Sequence, residues 1–200
     1  LVLPISFNII GNLLATPFEG CKMIEKITFT VGTGNGIDYA SSASGVPCYT
    51  GTPWYQCRDS LTTVVLEEGI KSIGNNMFNG CTSIKTLVIP ESVTSIGINA
   101  FRGCTSLETV TLPENISVIE DYAFGGCTSL TTLTLPQSLK TIGNNAFNGC
   151  IALETLTIPA SVTETGRNAF KGSGLKWVIC KSETPAKLGT QSFSGKKKKK

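Results

Sequence analysis

The chain has 200 residues, 40% of them hydrophobic, and no histidine; that length and composition suit one elongated folded body. Its net charge of +3 is carried by the last five residues: without Lys196 to Lys200 the 17 Lys and Arg fall to 12 against 14 Asp and Glu, or −2. A mildly acidic body with scattered charge lacks the basic face that phosphate backbones need, which argues against nucleic acid as a partner. No stretch of 18 apolar residues encodes a membrane span. Without histidine the usual general base and the common triads are missing, and the chain reads as a non-enzyme with no cofactor and no metal.

Phe78, Phe101, Phe124, Phe147, Phe170 and Phe193 fall 23 residues apart, and Cys81, Cys104, Cys127 and Cys150 keep the same spacing, as do Pro90, Pro113, Pro136 and Pro159. A fixed period of this length with leucine-type apolar spacing is the signature of a leucine-rich-repeat solenoid. The expected fold is therefore a β-rich repeat solenoid with a parallel sheet on one face and few or short helices. In the unit that starts at Cys104, Leu107, Val110 and Leu112 form an LxxLxL core: Val110 and Leu112 point inward, Thr109 and Thr111 outward. Pro113 ends the strand, since it cannot donate a ladder hydrogen bond. Ile119 and the pair Ala123 and Phe124 turn the chain back and fill the coil from its other side, with Phe124 the largest plug in each layer. Gly97, Gly143, Gly166 and Gly189 recur four residues before a phenylalanine and suggest a tight turn with positive φ; Glu120 breaks that column.

Taken in chain order, Leu1 to Ser6 and Ile10 to Asn12 match Leu133 to Ser138 and Ile142 to Asn144, with a three-residue insertion before Phe18. The chain thus begins inside a repeat, as a processed product or a piece of a longer array would. Cys21 to Cys57 spans 36 residues where 23 would serve, and the surplus around Thr30 to Pro53 reads as an inserted surface loop that re-enters with Trp54 in the phenylalanine position. Such a loop is either a recognition element or a tolerated spacer. Regular coils follow, about eight in all, giving a stack near ~40 Å at ~4.8 Å per strand. The last coil has lost one residue and carries Ser173 for the cysteine and Lys181 for the proline, so residues 171–195 read as a C-terminal cap. Residues 1–195 are thus one solenoid and 196–200 a disordered, solvated tail.

Four of the eight cysteines hold one place per coil, where a free thiol behaves as a small buried hydrophobe; there is no CxxC pair to suggest zinc. Cys180 occupies the inward position of Ile158 and is expected in the core. If a disulfide forms, Cys48 with Cys21 or Cys57 is the candidate, against free thiols throughout. Gly32, Gly34 and Gly36 do not make a phosphate-binding fingerprint and read as loop. Asn115, Ile116 and Ser117 fit the N-glycosylation sequon, which matters on a eukaryotic secretory route.

Stacking the coils aligns Thr63, Thr86, Thr109, Thr132 and Thr155 in an outward column ending at Trp177. A second column holds Val65, Val88, Thr111, Thr134, Thr157 and Ile179. A third, of Thr62, Lys85, Glu108, Thr131, Glu154 and Lys176, edges them with mixed charge. Thr and Val suit a strand on β-propensity alone. As a surface, the columns offer a weakly charged, extended sheet suited to a protein or glycan ligand, with Trp177 beside Ile179 as anchor. The candidate ligand-binding residues are Thr63, Thr86, Thr109, Thr132, Thr155, Trp177, Val88, Thr111, Thr134, Thr157 and Ile179.

The unit GCTSLxTLTLPxSVxxIGxNAFxG, nearly intact from Gly103 to Gly125 and from Gly126 to Asn148, resembles the BspA-like leucine-rich-repeat family, short-coil proteins of host-associated bacteria and some parasitic protists. The stretch Ile27 to Gly34, with Asp38, Tyr39, Thr52 to Tyr55 and Val64 to Gly74, resembles the segment that often opens such arrays. Ser92, Ser138 and Ser161 stand where a buried asparagine ladder is usual, and only Asn115 conforms. The resemblance implies a secreted or cell-surface, non-catalytic protein-binding module, an adhesin for host or matrix proteins using the outward strand face. The alternative is a passive spacer that presents other domains.

Overall fold

Residues that alternate in and out across each LxxLxL segment form a strand, and the 23-residue period places each strand beside its counterpart in the next coil. The computed structural model describes residues 2–4, 23–30, 57–182 and 187–193. Its strands begin with β1 (Val2–Pro4) and β2 (Lys26–Thr30), after which longer and two-residue strands alternate: β3 (Thr63–Leu66), β4 (Ser72–Ile73), β5 (Thr86–Val88), β6 (Ser95–Ile96), β7 (Thr109–Thr111), β8 (Val118–Ile119), β9 (Thr132–Thr134), β10 (Thr141–Ile142), β11 (Thr155–Ile158), β12 (Glu164–Thr165), β13 (Trp177–Cys180) and β14 (Lys187–Leu188). The longer strands make a front layer of parallel ladders, β1-β2-β3, β5-β7-β9 and β11-β13, and the short ones a rear ladder, β14-β12-β10-β8-β6-β4. Leu87 pairs with Val110 and Val110 with Leu133, one period apart. The molecule is thus a parallel β-solenoid with almost no helix, as the period predicts.

The rear ladder is an addition to the sequence reading, which has only a return segment there. A two-residue strand such as Val118 and Ile119 is too short for alternation to betray it. Between the layers lies one apolar core. Leu107, Val110, Leu112, Ile116, Ile119, Ala123 and Phe124 of one coil are buried, and so are their counterparts above and below. The phenylalanine rings from Phe78 to Phe193 stack face over face, 5.1 to 5.5 Å apart with planes within 13°. Phe29, on β2 opposite Leu66, meets Phe78 edge-on, 5.8 Å away at 80°. The strand before each buried proline stops as expected, and the proline carbonyl then accepts a turn hydrogen bond from the amide three residues on, as from Ile116 to Pro113.

Positive φ does not fall where the glycine column suggests. Among the described residues it occurs two residues before each column phenylalanine, at Asn76, Asn99, Tyr122, Asn145, Asn168 and Gln191 (φ 55–61°), two residues after, at Gly80, Gly103, Gly126, Gly149 and Gly172 (φ 69–77°), and at Gly69 (φ 101°). Asparagine tolerates this region better than most residues. The column of Gly97, Gly143, Gly166 and Gly189 serves close coil packing instead. A Cβ on Gly97 would lie 2.5 Å from Asn75 Oδ1, on Gly143 2.7 Å from the Asp121 amide, and on Gly166 2.5 Å from the Asn144 amide. In the Gly97, Gly143 and Gly166 coils the amide after the glycine donates to a side chain one coil back: Ile98 to Asn75, Asn144 to Asp121, Arg167 to Asn144, at 2.6 to 2.8 Å. The coil before Glu120 carries Ile98 at that place, which has no acceptor to offer.

Cys180 keeps the expected register, opposite Ile158, but it is exposed rather than core. No described strand stacks beyond β13, so its inward positions are covered from one side only; Val178, opposite buried Leu156, is 38% exposed. Cys57 is buried in the core. Cys21, Cys48, Trp54, most of the 30–53 insertion, the Gly32 to Gly36 segment, most of the first repeat and the lysine tail lie outside the described residues, although β1 does pair with β2 as a repeat strand would.

The thiols of Cys104, Cys127 and Cys150 are buried and donate to the carbonyls of Phe78, Phe101 and Phe124 in the preceding coil, at 3.2 to 3.3 Å. Ser173, in the same column, turns to its own coil and donates to Phe170. Burial pushes Cys81 and Cys150 from 9.0 up to about 12 and raises Cys104 and Cys127 well above the ordinary thiol value, helped by a neighbouring thiol in the case of Cys81, Cys104 and Cys127. A thiol kept neutral in the fold contributes stability that is complete below the unfolded pKa and is lost as pH rises towards the folded one. Urea midpoints of the wild type are therefore expected to fall more steeply between about pH 9 and pH 12 than those of a Cys81→Ala/Cys150→Ala variant; parallel slopes would refute the assignment.

The left-handed asparagines make a second prediction. Asn79 donates its amide to Asn76 Oδ1 at 3.2 Å, and Asn148 to Asn145 Oδ1 at 3.0 Å. In the Asn99 and Asn168 coils the third residue on is Arg102 or Lys171, and the buried Oδ1 finds no donor among the described residues. Lys171→Asn supplies the missing amide and is expected to stabilise by about 1 kcal/mol, raising Tm by roughly 2–4 °C. An unchanged or lower Tm in calorimetry would show that this oxygen carries no penalty.

Candidate functional site

A strand in a solenoid wall must present every second side chain outward, and parallel register lines these up across coils. On the front layer the outward residues fall in the predicted columns. Thr86, Thr109 and Thr132 are register partners, as are Val88, Thr111 and Thr134. Further along, Thr155 pairs with Trp177 and Thr157 with Ile179; Thr63 lies on β3, beside β5. All eleven candidate residues are exposed: Val88 is 62%, Trp177 58% and Ile179 49% accessible. Val65, by contrast, is half-buried.

The two central columns carry no charge from β3 to β13. Charge is confined to the flanking column of Lys85, Glu108, Glu154 and Lys176, where Lys176 bonds Glu154 across one coil step. An exposed pair of this kind contributes little to stability. Thr62 and Thr131 in that column donate their hydroxyls to the Glu25 and Glu108 carbonyls of the coil before, at 3.1 and 3.2 Å. The rim therefore braces the sheet while the central columns stay open.

The face is not one uninterrupted ladder. β9 and β11 are neighbours but belong to separate ladders. Across that step lies a hollow of about 380 Å³, lined by Thr132, Thr134, Thr155, Thr157, Gln137 and Pro159 with the strand backbone. It brings four of the predicted threonines together around one concavity. Trp177 and Ile179 lie one strand beyond it, and Thr63, Thr86 and Val88 lie away from it. Nothing in the sequence marks this step, because β9 and β11 are 23 residues apart like the rest.

Two further side-chain ladders escaped the sequence reading, although each repeats at the period. Glu68 accepts from the amides of Glu91 and Ser92, Glu91 from Glu114, and Glu114 from Gln137, at 2.9 to 3.2 Å. Asn75, Asp121 and Asn144 form the other, described above. Both spend their acceptors on backbone amides of the next coil and are structural. Among the described residues, no group of His, Cys, Asp and Glu is placed to hold a metal ion, and no helix is long and apolar enough to cross a membrane.

Residues 52–198 match the BspA type leucine rich repeat region in six copies. No curated protein is significantly similar to the chain. Among solved structures, a leucine-rich repeat protein from Bacteroides ovatus is 31% identical, over 78% of this chain and 43% of its own, with a TM-score of 0.61. One from Eubacterium ventriosum is 31% identical, over 68% and 37%, with a TM-score of 0.56. The T. pallidum leucine rich repeat protein is 26% identical, over 68% and 75%, with a TM-score of 0.55. The chain thus spans less than half the length of the B. ovatus and E. ventriosum proteins. The repeat unit, the two-layer coil and the six matched copies lead to one assignment: the chain belongs to the BspA-type leucine-rich-repeat family.

Proposed function

We propose that this chain is a non-catalytic protein-binding module of a secreted or cell-surface protein, and that it acts as an adhesin towards host or matrix proteins through its front layer. The observation that supports this most is the in-register, uncharged run of exposed Thr, Val, Trp and Ile side chains, interrupted by the Thr132–Thr157 hollow. Such a surface costs little to desolvate because it holds no ion to strip of water. Its hydroxyls can satisfy polar groups on a partner, and Trp177 gives a large apolar anchor next to Ile179. Location at the cell surface is inferred from family membership.

The test is binding of the purified chain to a panel of immobilised extracellular-matrix glycoproteins. Thr132→Lys combined with Thr155→Lys places two charges at the hollow and is expected to weaken binding at least tenfold, with Tm unchanged because both positions face solvent. Trp177→Ala is expected to weaken it by a similar factor, the worth of about 1.4 kcal/mol. A chain that binds nothing on the panel, or that binds equally well with both changes, would overturn the reading and leave a passive spacer in its place.

A further inference from the structure

Where the other coils place Ser92, Ser138 and Ser161, the central coil places Asn115, and the two choices differ in exposure. The serines are half-buried. Ser92 Oγ accepts the Gly69 amide at 2.7 Å, and Ser138 Oγ donates to the Ile116 carbonyl at 2.6 Å. Asn115 is exposed, in the turn that the Ile116 amide closes on Pro113. Its Nδ2 reaches only the Glu91 carbonyl at the surface, at 2.8 Å. Ser117, two residues on, is exposed as well, and its backbone carbonyl accepts the Lys140 and Thr141 amides. Ser161 Oγ finds no partner among the described residues. The repeat position that is half-buried in those coils is exposed here, and it carries an amide followed at the required spacing by an exposed hydroxyl.

We propose that Asn115 is an N-glycosylation site, an acceptor for a lipid-pyrophosphate-linked oligosaccharide. The inference rests on the export part of the functional reading. In the transfer, Asn115 Nδ2 forms a bond to C1 of the sugar, the C1–O bond to pyrophosphate breaks, and the lipid pyrophosphate leaves with the electron pair. The displaced amide proton passes to a carboxylate base of the transferase. The product amide retains one N–H, and because the side chain points to solvent the attached glycan displaces none of the buried residues. The solenoid can fold around such a modification, which it could not do at the buried Asn145.

The whole chain behind a cleavable secretion leader, expressed in a eukaryotic host, tests this by intact mass of material from both medium and cell membranes. The expected result is one glycan on most molecules, removed by peptide-N-glycosidase, lost in Asn115→Gln and Ser117→Ala and kept in Ser117→Thr. Wild-type chain of unmodified mass, in cells that glycosylate a co-expressed control, would overturn the proposal. Because the leader is supplied, that failure would concern Asn115 alone, whereas failure of the matrix-binding assay would leave the modification standing.

Discussion

Coil-on-coil registry at 23 residues is the constraint on which everything else depends. Its physical expression is double: backbone amides bond to carbonyls of the neighbouring coil along two parallel layers, and the phenylalanine rings stack between them at 5.1 to 5.5 Å. A single coil buries almost nothing, since its apolar side chains are covered by their own counterparts above and below. The energetic unit is therefore the interface between neighbours. The polar ladders follow the same rule, for the carboxylates of Glu68, Glu91 and Glu114 and the thiols of the cysteine column each satisfy groups one coil away.

That rule explains why the sequence was informative about the front layer. Leu107, Val110, Leu112 and Phe124 recur with so little variation that inward and outward faces can be separated residue by residue, and Thr109 and Thr111 emerge exposed as expected. It also explains what was misread. Glycine at 97, 143, 166 and 189 is ambiguous in a sequence, because a positive φ and a close approach both favour it; coordinates alone separate the two. Cys180 matches Ile158 by register, but burial requires a further neighbour and cannot be read from one strand. The rear strands are too short to leave a pattern, and the hollow between β9 and β11 is a departure from regularity with no residue to announce it.

Scaffold and surface are thereby separable in this molecule. Inward positions and ladder residues hold each coil to the next, whereas Thr132, Thr134, Thr155 and Thr157 face solvent and are free to vary. A repeat of this kind can change its recognition surface without altering its core, which is why family membership establishes the architecture and the outward columns must carry specificity.

The pairing of Gly97, Gly143 and Gly166 with Asn75, Asp121 and Asn144 has a consequence for how such arrays can be built. A coil is not an interchangeable tile: the Gly97, Gly143 and Gly166 coils follow a predecessor bearing an Asx acceptor, whereas the Gly189 coil follows Arg167 and the Glu120 coil follows Ile98. Duplication of adjacent coils in tandem preserves both halves of this lock. Shuffling of single coils would set a Cβ against its neighbour's backbone, so insertion, deletion and recombination in arrays of this type should favour blocks whose seams match.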